Sequence, residues 1–392
     1  MKNIRSNDSQ APIRLTHIVT GLNVGGAEIM LLQLLSHMDK RRFDMDVISL
    51  TDVGLIGQQI QELNIPVKSL NLGRGLPNPL AVLRLAWWLR KQSPQVVQTW
   101  MYHADLVGGI AARLAGVPSV VWGIHHGNLD PDHNRQRTLQ IVKANAFLSN
   151  YLPASIICCA HTSRRVHAQA GYADSKMLVI SNGFDLEKFR PDAANRESIR
   201  NELEIPKDAP LIGMIARFHP QKDHMNFVQA ASILHKQFPD VHFLLCGQGI
   251  EWENSDLADP VRSLQMTHRF HLLGPRDDVP RIAAALDIGT ISSLGEGFPN
   301  VVGEMMACAV PCVVTNVGDA AVMVGDTGRV VPPRAPQALS AGWAELLTIT
   351  PEERQALGQA AHHRIQTLFS MPAITDAYQA LYIRLAESEF AR

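Results

Sequence analysis

The sequence is poor in the features that mark secreted, metal-binding and membrane-spanning proteins. It has five cysteines in 392 residues, an odd number, and no two of them are spaced as C-x-x-C. This pattern argues against a disulfide framework and a zinc or redox centre, and it is typical of a reducing compartment. No apolar run approaches the roughly 18–20 residues that a membrane span needs. Residues 1–12 are polar and lack the apolar centre of a signal peptide.

The net charge is also small, −1, but it conceals an uneven distribution. Residues 1–184 contain 18 lysines and arginines against 11 acidic residues, a net charge of +7. Residues 185–392 contain 18 against 26, a net charge of −8. A basic first half is suited to meeting an anionic partner. The alternative is an ordinary fluctuation between two domains, and the sequence alone favours neither interpretation.

What the chain does contain is a repeated alternation of short apolar runs and longer helical segments. With 392 residues it is long enough for two domains, each with its own core. This alternation predicts parallel sheets with right-handed crossovers, and therefore an α/β fold. The predicted strands are residues 13–20, 45–50, 66–70, 95–100, 119–124, 155–160, 177–181, 211–216, 241–246, 270–274, 287–292 and 312–315.

A glycine-rich turn at residues 294–300 is the most informative stretch of the chain. It separates the strand 287–292 from a predicted helix at 301–309. Such a turn presents backbone N–H groups and a helix N-terminus at the C-terminal edge of a sheet, where anionic ligands bind. Glu296 and Glu304 flank the turn, and carboxylates there are suited to accept hydrogen bonds from sugar or ribose hydroxyls. For an isolated pair, a solvated loop and helix face is the alternative.

Two other strand-to-helix turns carry residues suited to a phosphate or a sugar. Gly25 and Gly26 follow the first strand but do not form G-x-G-x-x-G, so a dinucleotide fingerprint is not supported. Paired glycines let the backbone approach a ligand closely, or they serve only a tight turn. Arg217 and Lys222 follow the strand 211–216, where a guanidinium fork and an ammonium group can grip a diphosphate.

Histidine occurs at the same predicted edge of the first sheet. His103 follows the fourth strand, and His125 and His126 follow the fifth. At the C-terminal end of a parallel strand, a histidine can donate to a sugar hydroxyl or handle a proton near neutral pH. A lone histidine is more often simply a hydrogen-bonded loop residue. Its position favours His125 as a site residue, although His126 fits the same role.

Together these motifs resemble the retaining glycosyltransferases of family 4, which have the GT-B fold. The E-x7-E spacing of Glu296 and Glu304, followed by A-C-A-V-P, is similar to that family's hallmark motif. Three further matches are G-G-A-E at residues 25–28, R-x4-K at residues 217–222, and N-G-x-D-x-x-x-F-x-P at residues 182–191. The resemblance extends from about residue 13 to residue 369, nearly the whole chain.

The resemblance implies two facing Rossmann-like domains with a cleft between them. The first, residues 1–184, would take the acceptor, and the second, residues 185–370, would bind the donor. Residues 371–392 would form a C-terminal helix that crosses back to the first domain. The family's hinge motif would place a hinge near Asn182, and the polar run 192–208 is interpreted as the linker.

The resemblance also implies roles for individual residues. Glu296 would lie near the transferred sugar, Glu304 near the ribose, and His125 would face the donor sugar. Arg217 and Lys222 would hold the diphosphate, and these two residues are predicted to be catalytic together with His125 and Glu296. Further predicted donor contacts are Gly25, Gly26, Arg276, Gly297, Phe298, Pro299 and Asn300. No metal or other cofactor is expected, because two cations and a helix N-terminus can stabilise the departing diphosphate.

The predicted activity is transfer of a sugar from a nucleotide sugar, most commonly a uridine diphosphate sugar in this family, to an acceptor. The predicted acceptor is a glycan or a lipid-linked glycan in cell-surface polysaccharide synthesis, and no nucleic acid is expected as a partner. Two alternatives stay open. A sugar-nucleotide epimerase can share the fold, and a non-catalytic nucleotide-sugar-binding subunit can share the donor residues.

Localisation is expected to be cytoplasmic, with a hypothesis of peripheral association with an anionic membrane. The hypothesis rests on the predicted helix 80–91, which combines tryptophans and basic residues as interfacial helices do. The alternative is a crossover helix that packs Leu80, Leu83 and Trp87 onto the sheet. The D-x-D spellings at residues 44–46 and 130–132 lack supporting ligands and are interpreted as structural.

Overall fold

The structure, a computed structural model, describes residues 11–72, 79–131 and 134–390. The chain divides into two compact units. Unit 1 runs to Ser181 and resumes at Ile374, whereas unit 2 is Asn182–Ala373. Each unit is a parallel sheet with helical crossovers, so the predicted α/β class is confirmed.

In the described residues of unit 1, seven strands form a parallel sheet in the order β3-β2-β1-β4-β5-β6-β7. The strands are β1 Ile13–Val19, β2 Phe43–Ser49, β3 Val67–Ser69, β4 Val96–Trp100, β5 Ser119–Ile124, β6 Ser155–Cys158 and β7 Met177–Val179. The helices are α1 Gly26–His37, α2 Gly54–Glu62, α3 Pro79–Gln92, α4 Tyr102–Ala115, α5 Gln136–Leu148 and α6 His161–Gln169.

In the described residues of unit 2, six strands form a parallel sheet in the order β10-β9-β8-β11-β12-β13. The strands are β8 Leu211–Ile215, β9 His242–Cys246, β10 Phe270–Leu272, β11 Ile288–Ile291, β12 Cys312–Thr315 and β13 Arg329–Val331. The helices are α7 Ala193–Glu202, α8 His224–His235, α9 Ser255–Ser263, α10 Val279–Ala285, α11 Asn300–Ala307, α12 Ala320–Val324, α13 Pro336–Thr348 and α14 Pro351–Leu368. The last helix of the chain is α15 Met371–Phe390.

Both sheets are buried on their two faces, which is why their strands are nearly continuous apolar runs. The strand order reverses next to the first strand of each sheet, between β1 and β4 in unit 1 and between β8 and β11 in unit 2. Loops after strands that flank such a switch point form a crevice where ligands bind in open α/β sheets. We therefore expect ligands to bind at the loops after β1 and β4 in unit 1 and at those after β8 and β11 in unit 2.

The polar run 192–208 is not a linker. Most of its first half forms α7, which the Asp192 carboxylate caps by accepting from the Asn195 N–H at 2.9 Å. Ile199 is fully buried, and the Arg200 guanidinium donates to Asp287 at 2.6 Å. The prediction was wrong because a buried ion pair, rather than a row of apolar residues, attaches this helix to its unit.

Helix α3 packs on unit 1 through a different face from the one predicted. Its buried residues are Ala81, Leu85, Ala86 and Leu89, all at most 8% exposed. Leu80, Leu83 and Trp87 are instead 71%, 58% and 54% exposed. The helix has apolar residues on two faces, so periodicity alone could not identify the packed one.

Three further expectations concern membranes, cysteines and aspartates. Over the described ranges, every helix is too short or too polar to cross a lipid bilayer. All five cysteines are buried free thiols. The Asp46 carboxylate accepts a hydrogen bond from the Thr16 hydroxyl at 2.6 Å, which gives the first D-x-D a role within the sheet. The second D-x-D includes Asp132, which lies outside the described residues.

Candidate active site

The loop that joins β11 to α11 brings two of the predicted site residues into direct contact. The Lys222 ammonium group donates to the Glu296 carboxylate with an Nζ–Oε1 distance of 2.5 Å. The Ser293 hydroxyl donates to the same oxygen at 2.6 Å. Both charged side chains are largely buried, at 24% and 12% exposed. A largely buried cation and carboxylate are therefore fixed together at the switch point of unit 2.

Lys222 is held in place by hydrogen bonds between its loop and the segment after β11. The Ser292 hydroxyl donates to the carbonyl oxygens of Lys222 and Asp223, both at 2.9 Å. The Gln221 side-chain amide donates to the Gly295 carbonyl at 2.6 Å, and the Gln221 backbone carbonyl accepts from the Leu294 N–H at 2.8 Å. These bonds connect the two loops that flank the switch point, so Lys222 and Glu296 are positioned before any ligand binds.

Arg217 lies in the same segment after β8 as Lys222, but its side chain is exposed. Its backbone is fixed by neighbours, since the Phe218 N–H donates to the Gln248 carbonyl at 2.7 Å. Gly247 has φ +146°, and a Cβ there would lie 2.3 Å from the Ala216 carbonyl oxygen, so only glycine fits. Among the described residues, the Arg217 guanidinium has no ion-pair partner. It is therefore available to an anionic ligand.

The glycine-rich loop is braced by a second loop that the sequence motifs did not indicate. The Asp319 N–H donates to the Gly297 carbonyl at 2.9 Å. Gly318 has φ +56°, and a Cβ there would lie 2.5 Å from that same carbonyl oxygen. The loop after β12 therefore fixes the backbone beside Glu296, and this contact requires glycine.

The other predicted residues of this loop divide between packing and hydrogen bonding. Pro299 is buried, and the Phe298 ring stacks on the Phe184 ring with a centroid distance of 6.0 Å. These two side chains anchor the loop to the core of unit 2. Asn300 begins α11, and its side-chain oxygen accepts from the Asn182 amide at 3.0 Å.

Glu304 lies one turn into α11, eight residues after Glu296. Burial of its carboxyl group raises the pKa of Glu304 to about 7, and Lys188 opposes that rise only in part. The preceding residue, Gly303, leaves room for the Phe184 ring, which a Cβ would meet at 2.1 Å. The carboxyl group is thus poised to change its protonation state near neutral pH.

The structure does not bring Arg276 into direct contact with these groups. Its guanidinium donates to Glu202 at 2.6 Å and to Asp278 at 2.7 Å. This guanidinium holds the pKa of the Asp278 carboxyl well below its usual range. The side chain is engaged in an ion-pair network with Glu202 and Asp278.

In unit 1, Gly25 and Gly26 form the junction between β1 and α1. Gly25 is the N-cap residue, and a Cβ there would lie 2.3 Å from a carboxylate oxygen of Glu28, which folds over it. Burial raises the pKa of Glu28. Across the described part of the chain, a Cβ on Gly26 would meet no atom within 4 Å. Packing within the described residues therefore does not require glycine at position 26, which favours the interpretation that a ligand approaches there.

The two adjacent histidines have different partners. The His125 ring stacks on the buried Trp100 ring with a centroid distance of 4.7 Å and an interplanar angle of 17°. The Trp100 indole N–H in turn donates to Nδ1 of His17 at 3.1 Å. His126 Nε2 lies 3.2 Å from the side-chain oxygen of Asn134. His125 is therefore held against the sheet, whereas His126 is tied to the loop that follows it.

A strained residue lies beside these histidines. Met101 has φ +72° and ψ +159°, a region that only glycine occupies without cost. Its N–H donates to the Gly123 carbonyl at 2.8 Å, which fixes the strained backbone at the end of β4. This conformation turns the chain directly into α4 and places His103 at the sheet edge. The strain was not evident from the sequence, because nothing marks this methionine.

The loops after β1 and β4 border a cavity of about 1100 Å³ within unit 1. Gly25, Glu28 and His103 line it. Burial lowers the pKa of His103, which favours a neutral imidazole able to donate or accept a hydrogen bond. In the described residues, no group of three or more histidine, cysteine or acidic side chains is arranged to hold a metal ion.

Comparison with known proteins shows the family to which the chain belongs. The profile described as "Glycosyltransferase Family 4" matches residues 24–188, and the profile described as "Glycosyl transferases group 1" matches residues 209–348. The protein belongs to the group 1 glycosyl transferases of family 4. It is a glycosyltransferase, and its two Rossmann-like units are those of the GT-B fold.

Two relatives and one solved structure illustrate the similarity. The chain is 27% identical over 320 residues to UDP-Gal:alpha-D-GlcNAc-diphosphoundecaprenol alpha-1,3-galactosyltransferase of Escherichia coli, covering 79% of this chain and 81% of that protein. It is 26% identical over 272 residues to N,N'-diacetylbacillosaminyl-diphospho-undecaprenol alpha-1,3-N-acetylgalactosaminyltransferase of Campylobacter jejuni, covering 66% and 70%. The structure of Anabaena HepE in complex with UDP superposes with a TM-score of 0.83 at 22% identity, covering 94% and 99%.

Proposed function

We propose that this glycosyltransferase moves a sugar from a uridine diphosphate sugar to a lipid-linked glycan acceptor, with retention of anomeric configuration, in cell-surface polysaccharide synthesis. The observation that carries the proposal is the Lys222–Glu296 pair at the switch point of unit 2, where the exposed Arg217 follows the neighbouring strand β8. The names of the Escherichia coli and Campylobacter jejuni relatives support the acceptor class, and the UDP complex of HepE supports the nucleotide.

The donor half of the reaction needs groups that stabilise a departing nucleoside diphosphate. Negative charge grows on the diphosphate as the glycosidic bond breaks, so preorganised cations lower the barrier. Lys222 is already fixed, and Arg217 can close on the ligand as a bidentate fork. Glu296 then accepts hydrogen bonds from the transferred sugar, and Glu304 accepts from the ribose. The two cations make the step independent of a metal ion.

The acceptor half belongs to unit 1 in this proposal. The cavity beside Gly25 and His103 receives the acceptor. The net charge of +7 in residues 1–184 favours an acceptor that carries negative charge. A diphosphate-linked lipid carrier satisfies that requirement.

The test of the function is product analysis with purified protein. A panel of nucleotide sugars is incubated with and without N-acetylglucosamine linked through a diphosphate to an alkyl chain, in buffer containing EDTA. We expect a new glycosidic product only with acceptor and a uridine diphosphate sugar, and its anomeric proton signal should report retention. An epimerase would convert the donor sugar without acceptor, and a binding subunit would give no product with any donor. Either outcome would contradict the proposal.

A lipid-linked acceptor would bring the enzyme to a membrane surface, and the exposed face of α3 is suited to it. Leu80, Leu83 and Trp87 lie on that face, and the Lys91 ammonium group lies 4.0 Å from the centre of the Trp87 ring. Arg84 and Arg90 on the same helix are also exposed. Apolar side chains that enter the headgroup region, flanked by cations, define an interfacial helix for anionic lipid.

Vesicle sedimentation tests this surface. We expect the protein to sediment at low salt with vesicles that contain phosphatidylglycerol and to stay in solution with purely zwitterionic vesicles. The double variant Leu83→Ser, Trp87→Ser should bind at least about tenfold more weakly, because it loses most of the apolar area. Leu114→Ser is the matched control, since Leu114 is 56% exposed on α4. Equal loss in both variants, or no binding by wild type, would refute membrane association through α3.

A further inference from the structure

The cavity of unit 1 extends well beyond the loop of Gly25, to the beginning of α5. Its volume of about 1100 Å³ is at or above the upper end of the about 300–1,000 Å³ that small-molecule sites occupy. It therefore has room for more than one sugar ring. We infer that Arg135 and Arg137 bind the diphosphate group of the acceptor in this cavity, an inference that rests on the proposed function.

The two arginines line the cavity and are available to a ligand. Both side chains are exposed, and in the described residues neither guanidinium has an ion-pair partner. The carboxylate that lines the same cavity, that of Glu28, is carried by the helix after β1 rather than by α5. Two uncompensated cations on one wall of a concave site create a positive potential that attracts an anion.

A pair of guanidinium groups matches a diphosphate better than it matches a monophosphate. Each arginine offers a planar fork of N–H donors that matches two phosphate oxygens. Arg135 and Arg137 both line this cavity at the beginning of α5, so their forks can engage neighbouring groups of one ligand. A diphosphate presents two adjacent tetrahedral anions, whereas a monophosphate would leave one fork without a partner.

The wall next to the arginines is suited to the start of a lipid chain. Arg137, Ile141 and Ala144 share one face of α5, because residues four and three apart lie above one another on a helix. Ile141 and Ala144 also line the cavity. Other apolar residues of the lining are Leu50, Leu72, Leu106 and Val107. A sugar, a diphosphate and an apolar chain thus each meet a wall of matching chemistry.

The donor diphosphate is the other source of the same chemistry. It has its own cations in unit 2, Arg217 and Lys222, so the pair in unit 1 is not needed for it. Binding measurements separate the two sources because UDP carries the donor diphosphate without an acceptor, and a sugar diphosphate alkyl ester carries the acceptor diphosphate without a nucleotide.

The experiment compares four probes by titration calorimetry on the full chain. They are N-acetylglucosamine linked to an alkyl chain directly, through a monophosphate and through a diphosphate, and UDP. The variants are Arg135→Ala with Arg137→Ala, and the same two positions changed to lysine. Lys143→Ala is the matched control, because it removes an exposed positive charge from α5 outside the cavity.

For the double alanine variant we expect about 10- to 100-fold weaker binding of the diphosphate probe, as for loss of charge-assisted hydrogen bonds. The neutral glycoside and UDP should bind as to wild type, and the lysine variant should be intermediate. Lys143→Ala should bind all probes normally. Unchanged binding of the diphosphate probe would overturn the inference. Equal weakening of the neutral glycoside, or weakening of UDP instead, would overturn it as well.

Failure of the proposed function has a different signature. If the protein transfers no sugar but the diphosphate probe still depends on the two arginines, the function fails and the site stands. If transfer to the diphosphate-linked acceptor proceeds in the double alanine variant with an unchanged KM, the function stands and the inference fails.

Discussion

The loops at the two switch points differ in whether their charged side chains find partners within the protein. In unit 2, Lys222 and Ser293 both donate to the Glu296 carboxylate, and neighbouring backbone groups fix the Lys222 loop. In unit 1, the corresponding loops border an open cavity whose arginines have no ion-pair partner in the described residues. Under the proposed function, this difference means that the donor side is preorganised around a constant chemical group, whereas the acceptor side is completed by its ligand.

This comparison has a direct energetic meaning. Preorganised donors and cations cost no reorganisation when charge develops, so they contribute to the rate of the chemical step. Exposed cations in a cavity contribute mainly to binding, and their effect is screened by salt. Changes in unit 2 should therefore lower kcat, and changes in unit 1 should raise the acceptor KM.

The largest effect is expected for Lys222→Ala. This change removes a fixed cation from the departing diphosphate, and we expect kcat/KM for transfer to fall by about 100- to 1000-fold, as for loss of one transition-state donor. Steady-state kinetics with a uridine diphosphate sugar measures it. Lys236→Ala, an exposed lysine at the end of α8, is the control and should be unchanged. A fall confined to the acceptor KM would contradict the assignment of Lys222 to the donor.

A smaller effect concerns the pH dependence of stability through Glu304. Its pKa rises from an ordinary 4.5 to about 7, so between these pH values the native state binds the proton more tightly than the unfolded state. This contribution to the free energy of unfolding is therefore present below pH 4.5 and is lost as the pH rises to 7, by roughly 3 kcal/mol at most.

Denaturant unfolding at several pH values measures the Glu304 contribution. The difference in unfolding free energy between wild type and Glu304→Gln should shift against wild type as the pH rises from 4.5 to 7. A difference that stays constant over this window would show that the carboxyl group is solvated in the native state.

Two glycines sharpen the comparison further. Gly318→Ala should destabilise the protein by about 1–3 kcal/mol, because alanine resists positive φ and its Cβ would clash with the Gly297 carbonyl. Gly26→Ala in unit 1 should leave the unfolding free energy almost unchanged, since a Cβ there has open space. Thermal unfolding measures both. If Gly26→Ala were as destabilising as Gly318→Ala, glycine at position 26 would be required by the packing of the turn rather than by a ligand.

The fold was predictable wherever a strand is a continuous apolar run. The predicted ranges 119–124 and 312–315 coincide with β5 and β12, because buried parallel strands carry an unmistakable pattern. Strand β13, Arg329–Val331, was not among the predicted strands. Helix α7 was missed because its attachment is the Arg200–Asp287 ion pair, which no local pattern encodes.

The candidate site was predictable to the extent that it is encoded by short motifs. Glu296, Lys222 and Arg217 each lie between a strand and the next helix, so topology alone gathers their loops. Arg135, Arg137 and Met101 belong to no motif, and their surroundings arise from contacts between segments distant in sequence. A lone glycine after a strand, as at Gly318, is a sequence signal for such a bracing loop.

The most direct test of the central claim, a preorganised and metal-independent donor site in unit 2, is titration calorimetry with UDP. The measurement compares wild type and Arg217→Ala in buffer with EDTA. We expect wild type to bind UDP in EDTA, and we expect the variant, which loses a charge-assisted fork, to bind at least about tenfold more weakly. UDP binding that disappears with EDTA, or that is unchanged in Arg217→Ala, would contradict the account.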